Sequence, residues 1–182
     1  NLIEGEGFYI SREKREWISG VPPLYSVSLL PGFIINSDPR MFYFTNVLLS
    51  LISAILFVLI LKKLIENIWI IGFVFFLYVS NYFIYWYPTI AMAENLILPI
   101  FLFGVWLIIN KISNTKAFLA GIVGITLYAT KGAIAPLTVS FLLIYAIKIF
   151  LENNSIREKI NFWLFLFFVF LFAFTHLIMY KF

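Results

Sequence analysis

Six stretches of the chain, 41–61, 67–93, 95–110, 117–130, 132–147 and 160–180, contain no aspartate, glutamate, lysine or arginine. A helix that crosses a bilayer needs about 20 mostly apolar residues, because roughly 30 Å of hydrocarbon is covered at about 1.5 Å per residue. Segments 42–61, 68–87, 90–109, 133–150 and 162–180 approach that length, and each is predicted to form one transmembrane helix. A sixth, 116–130, is short and stops at Lys131-Gly132. It spans only with little tilt, or with its outer end in a protein-lined pocket rather than in lipid. The pattern predicts an all-α, polytopic transmembrane bundle with six spans across 42–182.

Residues 1–41 differ in kind. They mix charges with Gly5, Gly7, Gly20, Pro22, Pro23, Pro31, Gly32 and Pro39, which predicts an extended loop carrying short helices rather than a span. Within it, 24–35 is apolar but only 12 residues long and contains Pro31 and Gly32, so it reads as an interfacial or re-entrant piece.

Composition agrees with the pattern. Of 182 residues, 63% are apolar, 20% aromatic and 12% charged, against roughly 25% charged in an ordinary soluble domain. A soluble globule is excluded. With no cysteine, neither a disulfide framework nor a thiolate metal site is available. The net charge of +4 matters less than its distribution, and no basic stripe suits nucleic acid. If 1–41 lies outside, the inner loops carry Lys62, Lys63, Lys111, Lys116, Lys148, Arg157 and Lys159 against Glu66, Glu152 and Glu158. That excess of cations places those loops in the cytoplasm and 1–41 outside.

Tyr82, Tyr85, Trp86 and Tyr87 gather at an outer boundary, and Trp69 and Trp163 at inner ones, as amphipathic rings at headgroup level do. Anchoring accounts for the outer cluster, with sugar or lipid binding as the alternative. The chain starts at Asn1 without a signal peptide and stops at Phe182 directly after an apolar helix, so it is expected to be a fragment of a longer protein.

An ionisable residue within or at the end of an apolar run is a candidate site residue, because its burial costs about 2.5–3.5 kcal/mol on insertion scales. Two stand out, Glu94 in Ala93-Glu94-Asn95-Leu96 and Lys131 in Ala129-Thr130-Lys131-Gly132, both on the side of the 1–41 loop. A carboxylate there can accept a proton, bind a divalent cation or hold a sugar hydroxyl, and an ammonium can neutralise a phosphate. The competing structural readings are a first-turn acid that complements a helix dipole for Glu94, and a lysine that snorkels to the headgroups for Lys131. His176 is the single histidine and reads as a helix–helix hydrogen-bonding group, with a contribution to the site as the alternative. Asn153-Asn154-Ser155 matches a glycosylation acceptor but falls on the inner face.

Asn1-Leu2-Ile3-Glu4-Gly5-Glu6-Gly7-Phe8, followed by Pro22-Pro23-Leu24-Tyr25, resembles the first outer loop of polyprenyl-phosphate-sugar glycosyltransferases of the GT-C fold. These are bacterial relatives of the protein O-mannosyltransferases and of the lipid A aminoarabinose transferases. Ala93-Glu94-Asn95-Leu96 resembles the acidic motif of their second outer loop, and Thr130-Lys131-Gly132 resembles a Leu-Thr-Lys-Gly-Pro stretch of the aminoarabinose branch. Gly20-Val21 and Ala133 depart from that branch, which leaves the acceptor open.

The resemblance implies a membrane enzyme in the plasma (inner) membrane of a prokaryote. Such an enzyme moves a sugar from a polyprenyl-phosphate donor to a lipid, glycan or protein hydroxyl at the extracytoplasmic face, with inversion and often with a divalent metal. It implies Glu94 as the second acidic residue of the site, potentially a metal ligand, and Lys131 as the group facing the donor phosphate. Pro22, Pro23 and Tyr25 would shape the substrate pocket, and the principal Asp would lie before Asn1. The alternative is a non-enzymatic transporter, flippase or cell-envelope assembly subunit that uses the same outward-facing cavity.

Overall fold

The structure, a computed structural model, describes residues 24–35, 41–89, 93–131 and 134–152, together with 156, 159, 160, 162, 163, 166 and 167. Among the described residues every regular element is a helix. In chain order they are α1 (Leu24–Ile35), α2 (Met41–Leu64), α3 (Ile68–Val79), α4 (Tyr82–Trp86), α5 (Glu94–Ile109), α6 (Asn114–Thr130) and α7 (Ala135–Leu151). A 3-10 turn, Tyr87–Thr89, follows α4.

Local chemistry sets the boundaries. Asn67 starts α3 by accepting the Trp69 N–H at 2.9 Å, and Ser113 caps α6 by accepting from Lys116 N–H at 3.4 Å. Pro136 lies in the first turn of α7, where a missing N–H leaves no helical bond unmade. Lys62 and Lys63 close α2 with cations against its carbonyl end.

The apolar segment 24–35 is the helix α1, with Pro31 inside it. Segment 42–61 is contained in α2, which over Tyr43–Leu64 is the one helix among the described residues long and apolar enough to cross a membrane. α5, α6 and α7 sit on segments 90–109, 116–130 and 133–150 and have 16, 17 and 17 residues. Segment 68–87 is not the single helix expected from its composition. It breaks after Val79, and Asn81 accepts the Phe83 N–H at 2.9 Å to begin the short α4. A short polar side chain that offers the backbone a local partner ends a helix in a run that no charged residue interrupts. Most of 162–180 and all of 1–23 lie outside the described residues.

α2 packs along α5, and the two run in the same direction, with Leu49, Ile52 and Leu56 level with Leu96, Pro99 and Phe103. Short connections fold α5, α6 and α7 into an antiparallel trio around Leu107, Ala120, Val123, Leu127, Phe141, Leu142 and Tyr145. Phe162 closes this core against Tyr145 at 5.5 Å between ring centres. At the end away from Glu94, the Lys148 ammonium donates to the carbonyls of Ile108 and Asn110 and pairs with Glu152 at 3.2 Å. Glu152 in turn accepts the Ile112 N–H at 3.3 Å, so α7 ties down the last carbonyls of α5 and the loop that follows. The outward faces of α2, α3 and α7 expose large apolar side chains, including Leu51, Ile55, Phe73, Phe76, Leu143 and Ile147.

A Cβ placed on Gly104 of α5 would lie 2.8 Å from a ring carbon of Phe141 and 3.1 Å from a methyl of Val123, whereas one on Gly72 of α3 meets nothing within 4 Å. Overpacking costs about 1–3 kcal/mol and the helix-propensity gain is at most about 1 kcal/mol. Gly104→Ala is therefore expected to lower stability by about 1 kcal/mol and Gly72→Ala to raise it by up to about 1 kcal/mol, as read by thermal unfolding of the purified chain in detergent.

Candidate functional site

Glu94 is the first residue of α5, and Lys131 is the residue at which α6 stops. Lys131 has an extended backbone, and its N–H bonds to the Leu127 carbonyl, which directs its side chain away from the helix just ended. Its ammonium donates to the Glu94 carboxylate across 37 residues of sequence. The two charges that sequence singles out separately are thus partners. Glu94 keeps its place in the first turn of α5, where an acid complements the exposed N–H groups, while Lys131 turns to this carboxylate rather than to a headgroup. Lys131 is 41% and Glu94 27% exposed. Both remain open to an incoming ligand, and at that exposure the pair adds little to stability.

Beside the pair is a polar cleft lined by Ser50, Ser53, Tyr78, Ile84, Glu94, Asn95 and Leu98, with room for about one water-sized group. The Tyr78 hydroxyl is buried there without a hydrogen-bond partner among the described residues, while its ring stacks on Phe57 at 4.3 Å. Asn46, Ser50 and Ser53 follow one another at helical spacing and lay a polar line along the otherwise apolar α2. Asn46 is fully buried. Its side-chain oxygen accepts from the Tyr25 hydroxyl at 3.2 Å, and its side-chain nitrogen donates to the Pro88 carbonyl at 3.3 Å. That spacing is visible in the sequence, but uncharged residues leave a charge-free run intact, so the pattern of charges does not mark them.

A separate apolar groove of about 330 Å³ runs between α2, α5 and α6. It is lined by Leu49, Ile52 and Leu56, by Leu96, Pro99, Ile100 and Phe103, and by Ile122, Val123 and Thr126. Leu96 is two residues from Glu94 and Thr126 five from Lys131, so the groove begins on the order of one helical turn below the pair.

Of the other residues singled out from sequence, Tyr25 is on α1 and nearly buried, with its hydroxyl engaged by Asn46. Pro22, Pro23, His176 and Asn153-Asn154-Ser155 lie outside the described residues. Tyr82 and Trp86 of the aromatic cluster stack at 5.9 Å and are exposed, as is Trp69 at the opposite end of the bundle. Among the described residues no group of three His, Cys, Asp or Glu side chains could hold a metal ion. The Glu94 carboxylate is already matched by an ammonium, which would repel a divalent cation, so these residues do not fit a metal and no chemistry is assigned to one.

No protein-family model, curated protein or solved structure matches this chain.

A double-mutant cycle with Glu94→Gln and Lys131→Met is expected to give a coupling of about 0.2–1 kcal/mol at low salt that shrinks as salt is raised. Chemical unfolding of the four proteins at two salt concentrations measures it.

Proposed function

We infer that the chain is part of an integral membrane glycosyltransferase of the GT-C type, a polytopic bundle in a prokaryotic plasma membrane. It transfers a sugar from a polyprenyl-phosphate donor to a lipid, glycan or protein hydroxyl at the extracytoplasmic face. The observation that carries this reading is the half-exposed Glu94–Lys131 pair at one end of an apolar bundle, with an apolar groove beginning beside it. A lipid-linked phosphate has a matching division: an anion for Lys131 and a hydrocarbon chain for the groove.

Membrane embedding is supported by the large apolar side chains exposed along the outward faces of α2, α3 and α7, since contiguous exposed apolar surface marks contact with lipid or another protein. Orientation is supported by Lys62, Lys63, Lys111, Lys116 and Lys148, all at the end of the bundle away from Glu94 and Lys131.

On this reading Lys131 holds the donor phosphate and balances the charge that grows on it as the sugar–phosphate bond breaks. An acceptor hydroxyl oxygen attacks the anomeric carbon from the opposite face, which inverts it. The hydroxyl proton passes to a carboxylate. Once Lys131 has moved to the phosphate, Glu94 is free to hold a sugar or acceptor hydroxyl or to take that proton.

A second reading, a transporter or flippase, draws support from the broken segment at Ser80-Asn81, since discontinuous helices line transport sites. Donor turnover separates the two. The full-length protein in proteoliposomes is expected to consume a radiolabelled polyprenyl-phosphate sugar, with Glu94→Gln and Lys131→Met each lowering turnover by about 10²-fold while the melting temperature falls by no more than about 4 °C. Movement of lipid or solute without donor consumption would support the transport reading instead.

A further inference from the structure

Asn46 is an amide set one turn into α2, the longest helix among the described residues, and it is fully buried. Such a side chain must satisfy both of its ends inside the protein. It does so with two segments that are remote in sequence. The acceptor end takes the Tyr25 hydroxyl of α1, 21 residues earlier, and the donor end gives to Pro88 of the 3-10 turn, 42 residues later. α1 is also seated closely on the start of α2, where a Cβ on Gly32 would approach the Met41 carbonyl oxygen at 3.0 Å. The turn leads within a few residues to Ala93 and Glu94, and α1 also touches α6, the helix that ends at Lys131.

We propose that Asn46 is a positioning residue of the Glu94–Lys131 site: its two-ended amide clamps α1 and the Tyr87–Thr89 turn onto α2, and so fixes the segment that delivers Glu94 and the helix laid over the outer end of the bundle. This rests on the transferase reading for its consequence in catalysis, though the clamp itself does not. Asn46 touches no reacting atom in this role. It acts through the placement of its two partners, and a displacement of about 1 Å in a reacting group can cost about 10²-fold in rate. The assignment also gives the Tyr25 hydroxyl its place, as the α1 half of the clamp.

The test compares wild type, Asn46→Leu, Tyr25→Phe and the double variant, all as the full-length protein in proteoliposomes. Two readouts are taken: donor turnover per folded molecule, and amide hydrogen exchange by segment. Tyr25→Phe, the milder change, is expected to speed exchange in 24–35 and leave 82–89 as it was. Asn46→Leu is expected to speed exchange in both segments, leave α6 and α7 unchanged, and lower turnover at least tenfold. The double variant is expected to match Asn46→Leu alone, because both substitutions cut the same tie. Exchange that rises evenly through the bundle, or turnover that follows only the folded fraction, would overturn the proposal by reducing Asn46 to a packing residue. If wild type consumes no donor, the transferase reading fails, and the segment-specific exchange pattern still decides whether the clamp exists.

Discussion

A polar group surrounded by hydrocarbon side chains has to find its partner within the protein, because no water is at hand to replace it. In a chain with 12% charged residues that constraint organises the structure. Apolar contacts hold α5, α6 and α7 together but are non-directional, and many registers would bury similar area. The few hydrogen-bonding and charged side chains choose among them. Lys148 fixes α7 against the end of α5, Asn46 fixes α1 and the Tyr87–Thr89 turn against α2, and Lys131 fixes the end of α6 against the start of α5.

These ties have different weights. Lys148 is mostly buried and satisfies carbonyls that a helix end leaves without partners, so its loss leaves those groups bare. Glu94 and Lys131 are more open and are held by a bond that is cheap to exchange for another. One end of the bundle is therefore fastened and the other offers charges that a ligand can take up. A closed, strongly bonded pair would serve stability, whereas a half-exposed pair beside an apolar groove suits a ligand with an anionic head and a hydrocarbon tail.

Much of this was legible in the sequence. Helices α2, α5, α6 and α7 follow the charge-free runs, because a run of apolar residues bounded by polar ones constrains where a helix can lie. Glu94 and Lys131 stood out because charge is rare in such company. Three features were not legible, for distinct reasons. The break at Ser80-Asn81 depends on one side chain capping a neighbouring N–H, which averages over a hydrophobic window conceal. The pairing of Glu94 with Lys131 is a product of packing between antiparallel helices and has no local signature. Asn46 carries no charge, and its importance comes from two partners 21 residues before it and 42 after it.

Glu94 and Lys131 meet at one end of the bundle, and the absence of cysteine from the chain permits a direct test of that meeting. Glu94→Cys and Lys131→Cys are introduced together in the purified protein, which is treated with a bifunctional thiol reagent about as long as the side-chain pair it replaces. An efficient intramolecular cross-link between the two cysteines is expected, with protection of that pair from the reagent by a polyprenyl phosphate. Ready labelling of each single cysteine with no cross-link in the double variant would contradict it.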